Sequence, residues 1–118
     1  MKKKRRTEKI DWHPDPKVRA MQAELQSWME KNDLTHDTGW RTAEYHYGDE
    51  LKKFDEPPCL VLTFGGDLNN VLWEYPPDVP DYQLYVKLHA EFDEIVDRHD
   101  FWYDFEDNVT ACFMINVR

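Results

Sequence analysis

Hydrophobic residues recur along this chain in two rhythms, one helical and one alternating, and together they predict seven elements. Asp15-Pro16 marks a helix start, with Asp as the cap and Pro at the first helical position. Val18, Met21, Leu25, Trp28, Met29 and Asn32 follow at three- and four-residue spacing, while Arg19, Gln22, Glu24, Gln26 and Lys31 fall mostly on other faces. An amphipathic helix to about Asn32 is expected. A second helix is expected from Asp78, with Pro80 inside its first turn and Asp81 near the positive end of its dipole. Leu84, Tyr85, Leu88, Phe92, Ile95, Val96 and His99 repeat at helical spacing there, and Gln83, Lys87, Glu91, Glu94, Asp97 and Arg98 cover the other side.

The alternating rhythm predicts five strands. Trp40–Tyr47 sets Ala43, Tyr45 and Tyr47 against Thr42, Glu44 and His46. A polar connection from Gly48 to Pro58 follows, with Leu51 and Phe54 pointing inward. Cys59–Phe64 and Val71–Tyr75 are apolar runs separated by Gly65-Gly66, read as a hairpin. The clearest hairpin comes last: Phe101, Tyr103 and Phe105 alternate with Trp102, Asp104 and Glu106. Asp107-Asn108 turns, and Val109 to Val117 alternates back. The order α-β-β-β-α-β-β predicts an α+β fold, a two-layer sandwich of an antiparallel sheet of about five strands with two helices on one face. At 118 residues the chain reads as one domain, 14–118, behind a flexible basic tail, 1–13.

Charge changes the picture. Residues 1–9 hold Lys2, Lys3, Lys4, Arg5, Arg6 and Lys9 against Glu8, a net of +5, and the other 109 residues carry nine cations and twenty-three acids, a net of −14. A body of that charge repels nucleic acid and anionic membrane and attracts basic proteins. From Asp78 to Asp107 there are ten acids against Lys87 and Arg98, so the acidity concentrates on the second helix and last hairpin. Lys2–Arg6 would at most tether the end of the chain, because there are too few cations elsewhere for a nucleic-acid-binding stripe.

Candidate chemistry adds little. Cys59 and Cys112 form no C-x-x-C pair, and with no signal peptide or membrane span a reducing cytoplasm is expected. His36-Asp37 and His99-Asp100 are His-Asp dipeptides without the further helical ligands of a metal phosphohydrolase, and His89 with Asp93 lacks a third ligand. Ser27, the only serine, has no nucleophile elbow around it. No cofactor, metal or catalytic residue is assigned, and an enzyme would need a pocket lined by His46, His89 or His99 with converging carboxylates.

The expectation that remains is a surface. Trp102 shares a sheet face with Asp104 and Glu106, and Trp40 with Glu44 and His46, which sets flat aromatic anchors among carboxylates. Glu91, Glu94, Trp102, Asp104, Glu106 and Asp107 are the predicted partner-binding residues. Their partner would be a basic protein, as for an immunity protein or antitoxin that blocks a nuclease toxin, or an inhibitor that imitates nucleic-acid charge. The element order also resembles that of small acidic type III secretion chaperones, which implies a homodimer wrapping an effector segment. The closing helix of those chaperones has no counterpart after the hairpin. A monomer fits the inhibitor reading, a dimer the chaperone one.

Overall fold

The first predicted helix forms where its cap places it. In a computed structural model that describes residues 10–73 and 78–116, α1 spans Pro16–Lys31. Asp15 Oδ1 accepts the backbone N–H groups of Lys17 (2.8 Å) and Val18 (3.3 Å), which satisfies donors that the first turn leaves open. Val18, Met21, Leu25, Trp28 and Met29 form its buried stripe. The helix ends at Asn32, whose Nδ2 donates to Trp28 O at 2.8 Å, and at Asp33, which turns the chain with φ of 57°.

The sheet contains four strands among the described residues: β1 (Thr38–Thr42), β2 (Leu60–Phe64), β3 (Phe101–Asp107) and β4 (Thr110–Ile115). They lie in the order β1-β2-β4-β3, all antiparallel, so β2 sits between the first strand and the final hairpin. That hairpin turns at Asp107-Asn108 as expected, and Asp107 Oδ1 accepts Val109 N–H at 3.0 Å. One sheet face carries Trp40, Leu60, Leu62, Phe64, Phe101, Ala111 and Phe113 into the core. The second long helix, α4 (Tyr82–Arg98), brings Leu88, Phe92, Ile95 and Val96 against them. Phe92 lies 5.8 Å from the Trp28 ring and 6.2 Å from that of Phe113, and so joins both helices to the sheet. The fold is α+β, with both long helices on one face.

Several expected elements are replaced, each for a local reason. The strand over Trp40–Tyr47 stops at Thr42, because Thr42 Oγ1 accepts Tyr45 N–H at 3.2 Å and caps a short helix, α2 (Ala43–Tyr47). A 3-10 turn, Gly48–Lys53, continues it, and Gly48 reverses the chain with φ of 57°. Trp40 consequently does not share a face with Glu44 and His46. It points into the core, with its indole N–H on Gln26 Oε1 at 2.9 Å. The strand expected over Val71–Tyr75 is replaced at its start by a helix: Leu68, Val71 and Leu72 are buried at helical spacing in α3 (Asp67–Leu72), and residues 74–77 lie outside the described residues.

Gly65-Gly66 therefore closes no hairpin. A Cβ on Gly66 would stand 2.3 Å from His36 O, so the glycine permits a close crossing of two chain segments. The order of elements behind the chaperone resemblance is thus not the observed one, and among the described residues the sheet has four strands rather than about five. α4 starts at Tyr82, four residues after Asp78, and Asp81 occupies its cap position without a side-chain hydrogen bond. Residues 1–9 of the expected tail, and Val117, lie outside the described residues. Residues 10–13, assigned to the tail, pack on the domain instead. Ile10 touches the core, and buried Gln22 accepts His13 N–H and donates to Asp11 O at 3.0 Å. No helix of the described residues is long and apolar enough to cross a membrane.

Candidate partner-binding site

β3 is an edge strand, and its alternation divides seven residues between two environments. Phe101, Tyr103 and Phe105 face the helices, where Tyr103 packs on Phe92 with ring centroids 5.0 Å apart. Trp102, Asp104 and Glu106 project from the opposite face, all exposed, with Trp102 at 40% of its full accessibility. Across the ladder, Trp102 stands opposite Met114 and Asp104 opposite Cys112. The register shifts between Phe105 and Asp107, so Glu106 is the extra residue of a bulge, a device that re-aims a side chain.

The bulged Glu106 carboxylate is the meeting point of a second group. From α2, His46 Nε2 lies 2.9 Å from Glu106 Oε1, and the Tyr47 hydroxyl donates to the same oxygen at 3.2 Å. The Tyr47 hydroxyl and Cys112 Sγ share a further hydrogen bond of 2.7 Å. His46 Nδ1 is buried and meets no partner among the described residues, so Glu106 is the polar anchor of that ring. Burial pushes the Tyr47 hydroxyl pKa well above the ordinary tyrosine range, with Cys112 and Glu106 adding to the shift. Cys112 is also raised, first by burial and then by the charges of Glu106, Asp104 and Asp107, against a lowering hydrogen bond from Tyr47. Cys59 is pushed up to about 11 by burial. Both thiols are held in the protonated form, the opposite of what a thiolate nucleophile requires.

The predicted partner-binding residues fall into two groups. Trp102, Asp104, Glu106 and Asp107 come together on β3 and its turn. Glu91 and Glu94 lie on α4, in the helical layer on the other side of the sheet. Glu91 has a packing role: it accepts the Trp28 indole N–H at 2.9 Å and pairs with Lys87 at 3.2 Å, which lowers its pKa. The comparable tie at the far end of the α1–α4 seam joins Glu24 to both guanidinium nitrogens of Arg98 at 2.9 Å and to His99 at 2.7 Å. These contacts hold Glu24 below the ordinary carboxylate range.

His46 and Tyr47 were the residues that the alternating pattern misplaced. The signal for them was present: Thr42 three residues before Tyr45, an acid in the first turn and Gly48 at the end describe a capped helical turn. Other candidate groups lie apart from β3's outer side. His89 and Asp93 both hydrogen bond the Tyr103 hydroxyl on the helix side, and among the described residues no group of three or more His, Cys, Asp or Glu is placed to hold a metal ion. A shallow apolar depression lined by Trp12, Pro16, Arg19, Ala20 and Ala23 contains no histidine or carboxylate. No family model, curated protein or solved structure matches the chain.

Proposed function

We propose that the chain is a non-enzymatic binding module that holds a basic protein on the outer side of β3. The observation that carries this reading is the row of Trp102, Asp104 and Glu106, exposed together on one face of an edge strand with Asp107 at its end. An indole set among carboxylates offers an arginine-bearing surface both a flat stacking partner and charged acceptors. The carboxylates also set the local potential, since three of them act on Cys112 from the same direction in charge. Such a field speeds encounter with a cationic protein more than it deepens the final affinity.

A nuclease toxin, whose active site is built to meet phosphates, is the class of partner this surface serves best. The module would then be an immunity- or antitoxin-type inhibitor, its carboxylates standing where substrate phosphates would lie. Affinity capture from the native cell tests the reading. The wild-type chain should retain a basic protein that elutes with salt and is lost from Asp104→Lys and Trp102→Ala. Equal retention by the variants would place the interface elsewhere on the molecule.

A further inference from the structure

Residues 43–54 form a strap across the sheet face that the long helices leave uncovered. The strap leaves β1 at Thr42, crosses as α2 and the 3-10 turn, and the chain returns to the sheet in β2 at Leu60. It brings little apolar anchorage of its own. Ala43 is the buried residue of α2, the 3-10 turn buries none, and Tyr45 is 73% exposed. Yet the sheet residues on that face are well covered: Val61 is fully buried, and Cys112 beneath Tyr47 is 7% exposed. Phe54 and His46 pack edge-on against the Tyr47 ring, at 5.0 and 4.7 Å between centroids, and hold it over the sheet. Both polar contacts that the strap makes with β3 end on one atom, Glu106 Oε1.

We infer that Glu106 is the latch of this strap, and that an arginine of the basic partner, by taking the Glu106 carboxylate, releases the strap and bares Cys112 and the sheet surface beneath Tyr47 for contact. This rests on the reading that the outer side of β3 receives a basic partner. The latch is weak enough to be displaced. The two hydrogen bonds from the strap meet one oxygen of a half-exposed carboxylate that water also solvates, whereas a guanidinium engages both oxygens at once and brings a full charge. The charged neighbours of the latch, Asp104 and Asp107 on the hairpin, favour the arriving cation in the same way.

The test is the rate at which Cys112 of the full chain reacts with a maleimide, in a Cys59→Ser background checked by circular dichroism. Tyr47→Phe and Glu106→Gln should each raise that rate by about tenfold, the factor that corresponds to losing about 1.4 kcal/mol of closure. The two changes act oppositely on thiol acidity: Glu106 raises the Cys112 pKa and the Tyr47 hydrogen bond lowers it. A common acceleration therefore reports opening rather than altered reactivity. An oligo-arginine peptide should accelerate labelling of the parent and leave Glu106→Gln unchanged, with anisotropy of a fluorophore on the peptide reporting binding separately. Unchanged labelling in both variants would overturn the latch. A peptide that binds by fluorescence without changing the Cys112 rate would overturn its release by the partner while leaving the binding reading in place, and absence of binding would remove that reading too.

Discussion

The two faces of this sheet are built by opposite means. On one, Trp40, Leu62, Phe64 and Phe113 interlock with Trp28, Leu25, Phe92 and Val96 from two long helices, and the seam is tied at both ends by Glu24 and Glu91. On the other, a twelve-residue strap with one buried side chain in its helix lays Tyr47 over Cys112 and is fastened to a carboxylate on the sheet edge. The first face derives its strength from apolar area removed from water, which scales with burial and is not screened by salt. The second depends on a few polar contacts that charge can contest. One strand serves both faces, since β3 gives Phe101, Tyr103 and Phe105 to the first and Trp102, Asp104 and Glu106, the proposed binding residues, to the second.

The largest expected effect attacks the helical face. Phe113 is fully buried and touches the rings of Trp40, Phe92 and Tyr103, so Phe113→Ala should cost about 3–5 kcal/mol in denaturant unfolding. A cost below about 1 kcal/mol would mean that this face is as loosely held as the other. Thr42→Ala removes the cap of α2 and should cost about 1 kcal/mol, felt on the strap side as faster exchange of the Tyr45 amide, with helix α1 amides keeping their protection.

The seam gives a pH test whose sign follows from its carboxylates. Contacts with Arg98 and His99 lower the Glu24 pKa from its ordinary 4.5, and the Trp28 and Lys87 contacts lower that of Glu91. A carboxylate with a lowered folded-state pKa contributes stability that is present above about 4.5 and lost as the pH falls through the folded-state value. Thermal melts should therefore show wild type more stable than Glu24→Gln at neutral pH, with the gap closing in acid. A gap that widened below pH 4.5 would reverse the assignment. The smallest effect on stability belongs to Asp104→Lys, which should move unfolding by no more than about 0.5 kcal/mol because the side chain is exposed.

How much of this was legible in the sequence depended on how far each residue's role was set locally. Asp15-Pro16 starts α1 through its own side chain, and the Asp107-Asn108 turn is fixed by an acceptor two residues from its donor, so both were readable. Val71 was misread because a β-branched residue in a short apolar run fits either a strand or a buried helical turn, and the crossing of Gly66 over His36 that decides between them is a long-range contact. The candidate site divided the same way. The alternation of β3 correctly put Trp102, Asp104 and Glu106 together, since a strand's faces follow from its period alone. Glu91 looked equivalent to them on charge, but its indole partner comes from Trp28, sixty-three residues away, and nothing local marks that contact.

Whether the outer side of β3 receives a basic partner is decided by calorimetric titration of the chain with an arginine-rich peptide at rising ionic strength, with Asp104→Lys beside wild type. Binding to wild type should be saturable, weaken steadily with salt and be at least tenfold weaker in Asp104→Lys, at an unchanged unfolding midpoint. Equal affinity for the two proteins across the salt series would contradict that placement.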